Sequence, residues 1–344
     1  MNRKSEDLSP AAAGKLTPLI SISVHAADLQ HTLLLKDERQ NPTGSIKDRT
    51  ATALVDRAVL NAVRAGSPGL VESTSGNLGA ALALRAGQEG FTFRAVVDPR
   101  LSPNLADKII GLGGELDVVK QADPSGNFLM ARLDRVQQLV RMGWVWTNQY
   151  TNPAVAQVHL TSTGPEIFTQ LTNRVDELLV AVSTGGTLAG LGAFAHARWP
   201  TTKVVAVDVE GSVVFAGPPA PRYLTGIGSA RTSDFDLAGC HDAVEIVSET
   251  EAIELCHRLL RELGIGVGPS TGAVVAAFIG RTIDARAPLH GLGLVADGAT
   301  NYARTIFDRQ WLASHGYRRT GTASTFPVRL TLTATIASKG VAAE

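Results

Sequence analysis

Four short segments of this 344-residue chain carry residue types that could do chemistry together. The first is Asn41-Pro42-Thr43-Gly44-Ser45-Ile46-Lys47-Asp48-Arg49, where an Asn-Pro, Thr-Gly turn leads into a helix, with Ser45 available as N-cap and Asp48 in the first turn. Lys47 then stands at a helix N-terminus, where the positive end of the dipole disfavours an ammonium and lowers its pKa. A lysine that is neutral part of the time can form a Schiff base with an aldehyde cofactor. Taken alone, such a lysine reads more simply as a solvated helix-start residue.

The second segment, Glu72-Ser73-Thr74-Ser75-Gly76-Asn77-Leu78-Gly79, sets hydroxyls and unhindered amides just before a helix. That is an anion nest suited to a carboxylate, or else an ordinary strand-to-helix loop. Asn77 can also donate to a phenolate oxygen. The third segment, Ser183-Thr184-Gly185-Gly186-Thr187, is a phosphate cradle by composition, since glycines allow close approach and hydroxyls add donors. It is not a P-loop, because no Gly-Lys-Ser/Thr follows, and GxGxxG is lacking for a dinucleotide fold. The fourth, Pro269-Ser270-Thr271-Gly272-Ala273, offers a hydroxyl at a helix start that on its own is only a cap.

Positioning these segments requires alternating strands and helices. Short apolar runs at 32–36, 69–72, 93–97, 116–119, 177–181, 204–208 and 292–296 predict strands, and amphipathic stretches at 47–65, 78–89, 129–141 and 251–263 predict helices. The alternation predicts an α/β protein with a largely parallel sheet, whose ligands bind beyond the carboxyl ends of the strands. Gly, Ser and Thr follow several of these strands, so the loops point to one shared site. The segment Trp144 to Pro153 breaks the pattern and marks a boundary near residue 150. From Arg319 the sequence is rich in Thr, Ser and Ala, and is read as a loosely attached tail over 319–344.

Bulk properties narrow the class. The length suits two lobes, since single cores stop growing at roughly 250–300 residues. Lys plus Arg and Asp plus Glu balance at 32 each, which gives no positive excess for nucleic acid or an anionic membrane. Two cysteines, Cys240 and Cys256, are too few for a disulfide scaffold or a CxxC zinc site. The eight histidines lack HxH or HxxxH spacing, so no metal is expected, and His159 is assigned a packing or hydrogen-bonding role. The polar N-terminus and the absence of a run of about 18 apolar residues predict no membrane span and a cytoplasmic protein.

In order along the chain, NPTGSIKDR, ESTSGNLG, STGGT, GIG and PSTGA resemble the cysteine synthase (O-acetylserine sulfhydrylase) group of fold-type II pyridoxal-phosphate (PLP) enzymes, over roughly residues 14–315. The resemblance implies a tryptophan synthase β-like fold of two open, twisted, mostly parallel sheets flanked by helices. A smaller N-terminal domain would span 35–150, with 14–34 and 151–318 forming the larger PLP-binding domain. It implies Lys47 as the Schiff-base lysine and Asn77 at the ring oxygen of pyridoxal 5'-phosphate. Ser183, Thr184, Gly185, Gly186 and Thr187 would lie around its phosphate and Ser270 at the pyridine nitrogen. Thr74, Ser75, Gly76, Asn77, Gln149 and Gly226 would bind substrate. The implied reaction is a β-replacement transfer through an aminoacrylate, and the implied assembly is a homodimer.

Several departures separate the chain from plain cysteine synthase. They are Val97 to Pro103 in place of a Met-Pro…Met-Ser-Glu-Arg segment, Ser183 in place of glycine, Tyr150 in place of phenylalanine, and Val207 to Phe215 in place of Val-Glu-Pro. With Trp146 to Tyr150 and Leu224 to Gly228 they are similar to a subgroup, the N-(2-amino-2-carboxyethyl)-L-glutamate synthases of 2,3-diaminopropionate biosynthesis, a secondary metabolism of siderophores and peptide antibiotics. That likeness implies O-phosphoserine and L-glutamate as substrates, read by Arg132, Tyr150 and Ser183. A guanidinium suits a phosphate leaving group, through two parallel hydrogen bonds. From spacing alone, however, Arg132 reads as solvated on a helix that also carries Arg135 and Arg141. Asp297 to Tyr302 also lacks a basic residue between its Asp and Tyr. The alternatives are a cysteine synthase using O-acetylserine or O-phosphoserine plus sulfide, a serine or threonine deaminase, a cystathionine synthase, and a catalytically silent binding partner with the same fold.

Overall fold

The computed structural model describes residues 16–26, 28–123, 128–317 and 326–336. Its strands are β1 (Leu19–Ala26), β2 (Leu29–Asp37), β3 (Leu70–Ser73), β4 (Phe93–Val97), β5 (Glu115–Val118), β6 (Val145–Trp146), β7 (Glu177–Ala181), β8 (Lys203–Val209), β9 (Ala243–Val247), β10 (His290–Val295) and β11 (Arg329–Ile336). They form a seven-stranded sheet in the order β11-β1-β2-β10-β7-β8-β9 and a four-stranded sheet in the order β5-β4-β3-β6. The smaller sheet is parallel throughout. The larger is parallel from β2 to β9, with β1 and β11 added antiparallel at one edge.

Sequence pattern explains this layering. In β8 every residue after Lys203 is buried, as a strand covered on both faces requires. Its side chains alternate between two cores: Val205, Val207 and Val209 pack into one, and Val204 and Ala206 into the other. The smaller sheet divides in the same way, with Leu70, Phe93, Ala95 and Val97 on one side and Val71 and Val96 on the other. Helices cover both faces, so the chain must cross from strand end to helix start repeatedly above the same edge. The chemistry-bearing loops sit there.

Some expectations shift. The predicted helix over 47–65 is two helices, Lys47–Leu54 and Arg57–Arg64, because Val55 leaves helical geometry and Asp56 caps the second by accepting from Val59 N at 2.9 Å. The expected lobe boundary at residue 35 falls inside β2, which runs to Asp37. The tail is corrected in part. Arg329 to Ile336 pairs with β1 across the edge of the larger sheet, and Leu330 is buried in its core. Its Arg-Leu-Thr-Leu-Thr alternation is a strand period that the Thr-rich composition conceals. The remainder of 319–344 lies outside the described residues.

Candidate active site

A cavity of about 920 Å³ opens where the carboxyl ends of both sheets meet. Lys47 enters it after β2, Thr74 to Asn77 after β3, Asp98 after β4, Gln149 and Tyr150 after β6, Ser183 to Gly185 after β7, and Asp297 after β10. Ser270, Gly226 and Arg132 also line it. The structure therefore gathers the segments singled out by residue type into one chamber, as ligand binding at strand ends of open α/β sheets demands. Among the described residues, no cluster of three or more His, Cys, Asp or Glu is arranged to hold a metal. No described helix is long and apolar enough to cross a membrane.

Lys47 is the first residue of its helix, and its amide bonds Ser45 Oγ at 3.2 Å, although the N-cap position belongs to Ile46. Its remaining surface faces the cavity, yet burial pushes its ammonium below the usual lysine range, while the Asp297 carboxylate opposes that fall. Burial, rather than the helix dipole expected from sequence, is the main cause. A network beneath fixes the loop. Arg49 pairs with Glu38 and Glu166 at 2.7 Å each, and fully buried Lys36 bonds Glu166 at 2.6 Å. Asn41 Nδ2 donates to Glu38 Oε2 at 2.7 Å and to Ser45 O at 3.1 Å, tying the Asn-Pro turn to the same carboxylate.

Asn77 donates to Asp297 Oδ2 at 2.6 Å and accepts from Asn301 Nδ2 at 2.7 Å. Tyr302 Oη donates to the same Asp297 oxygen at 2.6 Å, whereas Asp297 Oδ1 is buried without a hydrogen-bond partner. Burial raises the Asp297 carboxyl above the usual carboxylate range against the pull of these donors and of Lys47. Gly268 allows this approach, because a Cβ there would strike Asp297 Oδ1. Ser270 follows in the first turn of the helix Pro269–Ile283, which has no side-chain cap at Gly268.

The Ser183–Thr187 segment ends in the helix Gly186–Arg198. Gly185 is its N-cap at φ 101°, with no side-chain cap, so the first amides of the helix face the cavity loop free of a protein acceptor on their own cap residue. A Cβ at Gly185 would run into Ser233 Oγ, which itself donates to Thr184 O at 2.8 Å. Ser183 Oγ donates to Gly228 O at 3.1 Å. Gly186 is buried against Val155, so its lack of a side chain serves packing. His159 closes the rear of the cradle, bonded to Thr163 Oγ1 at 2.9 Å and Thr187 Oγ1 at 3.3 Å. Burial, with Lys47 and Arg49 nearby, pushes its imidazole down to about 3, so it is neutral.

Arg132 departs from the solvated reading. It is buried, facing inward with Leu129, Val136 and Leu139 on one stripe of the helix Phe128–Arg141. Its nearest counter-charge is Asp98 Oδ2, 3.4 Å from Nε, and both Nε and Nη1 are buried without hydrogen-bond partners. Such a guanidinium is short of an anion. Tyr150 joins the same wall, with Oη 3.4 Å from Ser73 O, and burial raises its hydroxyl's pKa while Arg132 lowers it. The buried Glu72 carboxylate organises this wall, accepting from Trp146 Nε1, Thr147 Oγ1 and Gln149 N at 3.0, 2.7 and 3.0 Å. Gln149 Nε2 donates to Ser73 O at 2.8 Å, and Gly76 N to Thr74 Oγ1 at 3.3 Å. A Cβ on Gly76 would meet open space. Asp98, Glu72 and Asp297 escaped attention as site residues, although each is a carboxylate within or just after an apolar strand run.

These residues fit an aldehyde cofactor carrying a phosphate: a lysine amine of lowered pKa, an uncapped helix start among hydroxyls, and a second helix start bearing Ser270. Residues 11–290 match the family of pyridoxal-phosphate dependent enzymes. The chain belongs to that family. It is 37% identical to N-(2-amino-2-carboxyethyl)-L-glutamate synthase of Ralstonia nicotianae over 307 residues, covering 89% of this chain and 91% of that protein. It is 36% identical to the enzyme of the same name from Cupriavidus metallidurans, covering 88% and 90%. Among solved structures, an O-ureido-L-serine synthase superposes with a TM-score of 0.75 at 29% identity, covering 87% of this chain and 96% of that one. The chain is thus a PLP-dependent enzyme of fold type II, similar to synthases that act on amino acids.

Proposed function

We propose that this enzyme replaces the phosphate of O-phospho-L-serine by the amine of L-glutamate, giving N-(2-amino-2-carboxyethyl)-L-glutamate and inorganic phosphate. The product would lead to 2,3-diaminopropionate for a siderophore or peptide antibiotic. The observation that carries the choice of leaving group is the buried, under-partnered Arg132 on the cavity wall. The curated relatives' name supports the choice of product.

In this reading Lys47 Nζ bonds the cofactor, Ser183 to Thr187 hold its phosphate, Asn77 meets its ring oxygen and Ser270 its ring nitrogen. When bound, the cofactor supplies an electron sink for the pair left at Cα. Thr74, Ser75, Gly76 and Gln149 hold the substrate carboxylate, and Arg132, Tyr150 and Ser183 face the leaving phosphate. Once the substrate amine had displaced it from the cofactor, Lys47 Nζ, whose ammonium burial disfavours, would take the Cα proton and later return it. Ser270 is neutral and cannot keep a proton on the ring nitrogen as a carboxylate would, which favours elimination over transamination. Gly226 leaves room beside Tyr302 Oη, which a Cβ there would approach to 3.0 Å.

The test is mass spectrometry of products from purified holoenzyme given O-phosphoserine and glutamate, beside acetylserine and sulfide. A glutamate adduct formed with stoichiometric phosphate supports the proposal. Cysteine as the efficient product, with no glutamate adduct, would hand the function to the cysteine synthases.

A further inference from the structure

The cavity is lined by a second arginine, Arg222, to which the proposed reaction gives no role. Arg222 is half-buried, lines the cavity, and donates through Nη1 to Ile227 O at 3.3 Å. A Cβ on Gly228 would crowd Arg222 Nη1 at 2.5 Å, and Gly228 O is the acceptor of Ser183 Oγ, so the guanidinium sits one residue from the cradle. Its nearest carboxylates are committed elsewhere. Glu249 accepts from the amides of Tyr223 and Leu224 and from the Tyr317 hydroxyl, and Asp208 accepts from Val209 N at 2.8 Å. Among the described residues Arg222 makes no ion pair within 4.0 Å. Arg100 lines the same cavity from the smaller sheet, its side chain 64% exposed and its Nε paired with Asp98 Oδ1 at 3.3 Å, and its positive charge opposes that of Arg222. A cavity-lining guanidinium with no ion pair of its own, beside a second whose partner Asp98 is shared with Arg132, creates a place for an anion.

The first substrate already has partners for both its charges on the facing loops: a carboxylate nest at Thr74 to Asn77 and Arg132 for phosphate. An acceptor with two carboxylates brings more negative charge than those partners can hold. We infer that Arg222 is a specificity residue that binds a carboxylate of the acceptor amine, with Arg100 lining the same cavity, so the enzyme takes dicarboxylic amino acids as nucleophiles. This rests on the proposed use of an amino-acid acceptor, and goes beyond it in assigning the acceptor's own subsite.

The experiment combines two readouts on holoenzyme and the variants Arg222→Gln and Arg222→Lys. Calorimetric titration with glutarate, which has the two carboxylates but no amine, reports the subsite without turnover. Steady-state kinetics with glutamate and a single-turnover phosphate burst from O-phosphoserine report the two half-reactions. Losing one charge-assisted pair predicts at least a roughly tenfold weaker glutarate affinity and a similar rise in glutamate KM for Arg222→Gln. Arg222→Lys should recover part of both, and the phosphate burst should stay within about twofold, since Arg132 is intact. Unchanged glutarate affinity, or no glutarate binding by the parent enzyme, overturns the inference. So does a burst slowed as much as the glutamate step, because Arg222 would then be reading phosphate. If glutarate binding depends on Arg222 while glutamate is never consumed, the subsite stands and the proposed acceptor falls.

Discussion

Replacing Arg132 by lysine separates a substrate-reading guanidinium from a structural one. Arg132 Nε lies 3.4 Å from Asp98 Oδ2, too long for a good hydrogen bond, and two of its nitrogens are already buried and unpaired. Lysine keeps a positive charge beside buried Asp98, so the folded state loses little. It cannot, however, offer two parallel donors to a phosphate. Each hydrogen bond to a charged group contributes about 1.5–3 kcal/mol, so losing one predicts a fall of roughly 10- to 150-fold in kcat/KM for O-phosphoserine. The upper half of that range is favoured, because the arginine is desolvated before substrate arrives and little further desolvation opposes binding. Acetylserine carries no charged leaving group, and its kcat/KM should change by less than about threefold. The assay is phosphate release and acetate release with glutamate as common acceptor, alongside urea unfolding to check stability. A phosphoserine loss below about threefold, or equal losses for both substrates, would refute the argument that Arg132 binds phosphate.

Two further outcomes follow from the cradle. His159, pushed down to about 3 in the folded state, is neutral there, while in the unfolded chain it takes a proton near its ordinary 6.5. Its contribution is therefore lost as pH falls from about 6.5 towards 3, by about 2 kcal/mol between pH 7 and 5. Urea unfolding across that range should show a steeper acid loss in the parent than in His159→Gln, and parallel curves would remove His159 from the account. Gly185→Ala must hold an alanine at φ 101° and push Ser233 Oγ aside. It should weaken cofactor retention on dialysis and lower stability by at least about 1–2 kcal/mol, and unaltered retention would mean the cradle tolerates a side chain.

Much of this could be read from residue order, because strands buried on both faces write themselves as apolar runs. β4 and β7 coincide with the runs at 93–97 and 177–181. Other elements left weaker traces. β6 has two residues, β9 is an edge strand with Val244 and Ile246 on its exposed side, and β11 alternates Leu with Thr in a stretch whose composition suggests a tail. Arg132 shows the opposite failure. Its position, three residues after Leu129 and four before Val136, belongs to the inward stripe, but its charge argues for solvent. The spacing was the better guide, since a charge on an inward stripe marks a ligand or a partner. Arg222 had no comparable signal: its meaning depends on the Gly226 to Gly228 turn folding back against it and on Glu249 being engaged by Tyr223 and Leu224.

The central claim is that Lys47 holds pyridoxal phosphate in a cavity that expels phosphate from phosphoserine and then accepts glutamate. It is tested most directly by the visible spectrum of purified holoenzyme during sequential additions. O-phosphoserine should displace the cofactor band and release phosphate without acceptor, and L-glutamate should then restore the original band, whereas Lys47→Ala should release no phosphate. A band that ignores phosphoserine but moves with acetylserine, and returns with sulfide instead of glutamate, would contradict the account.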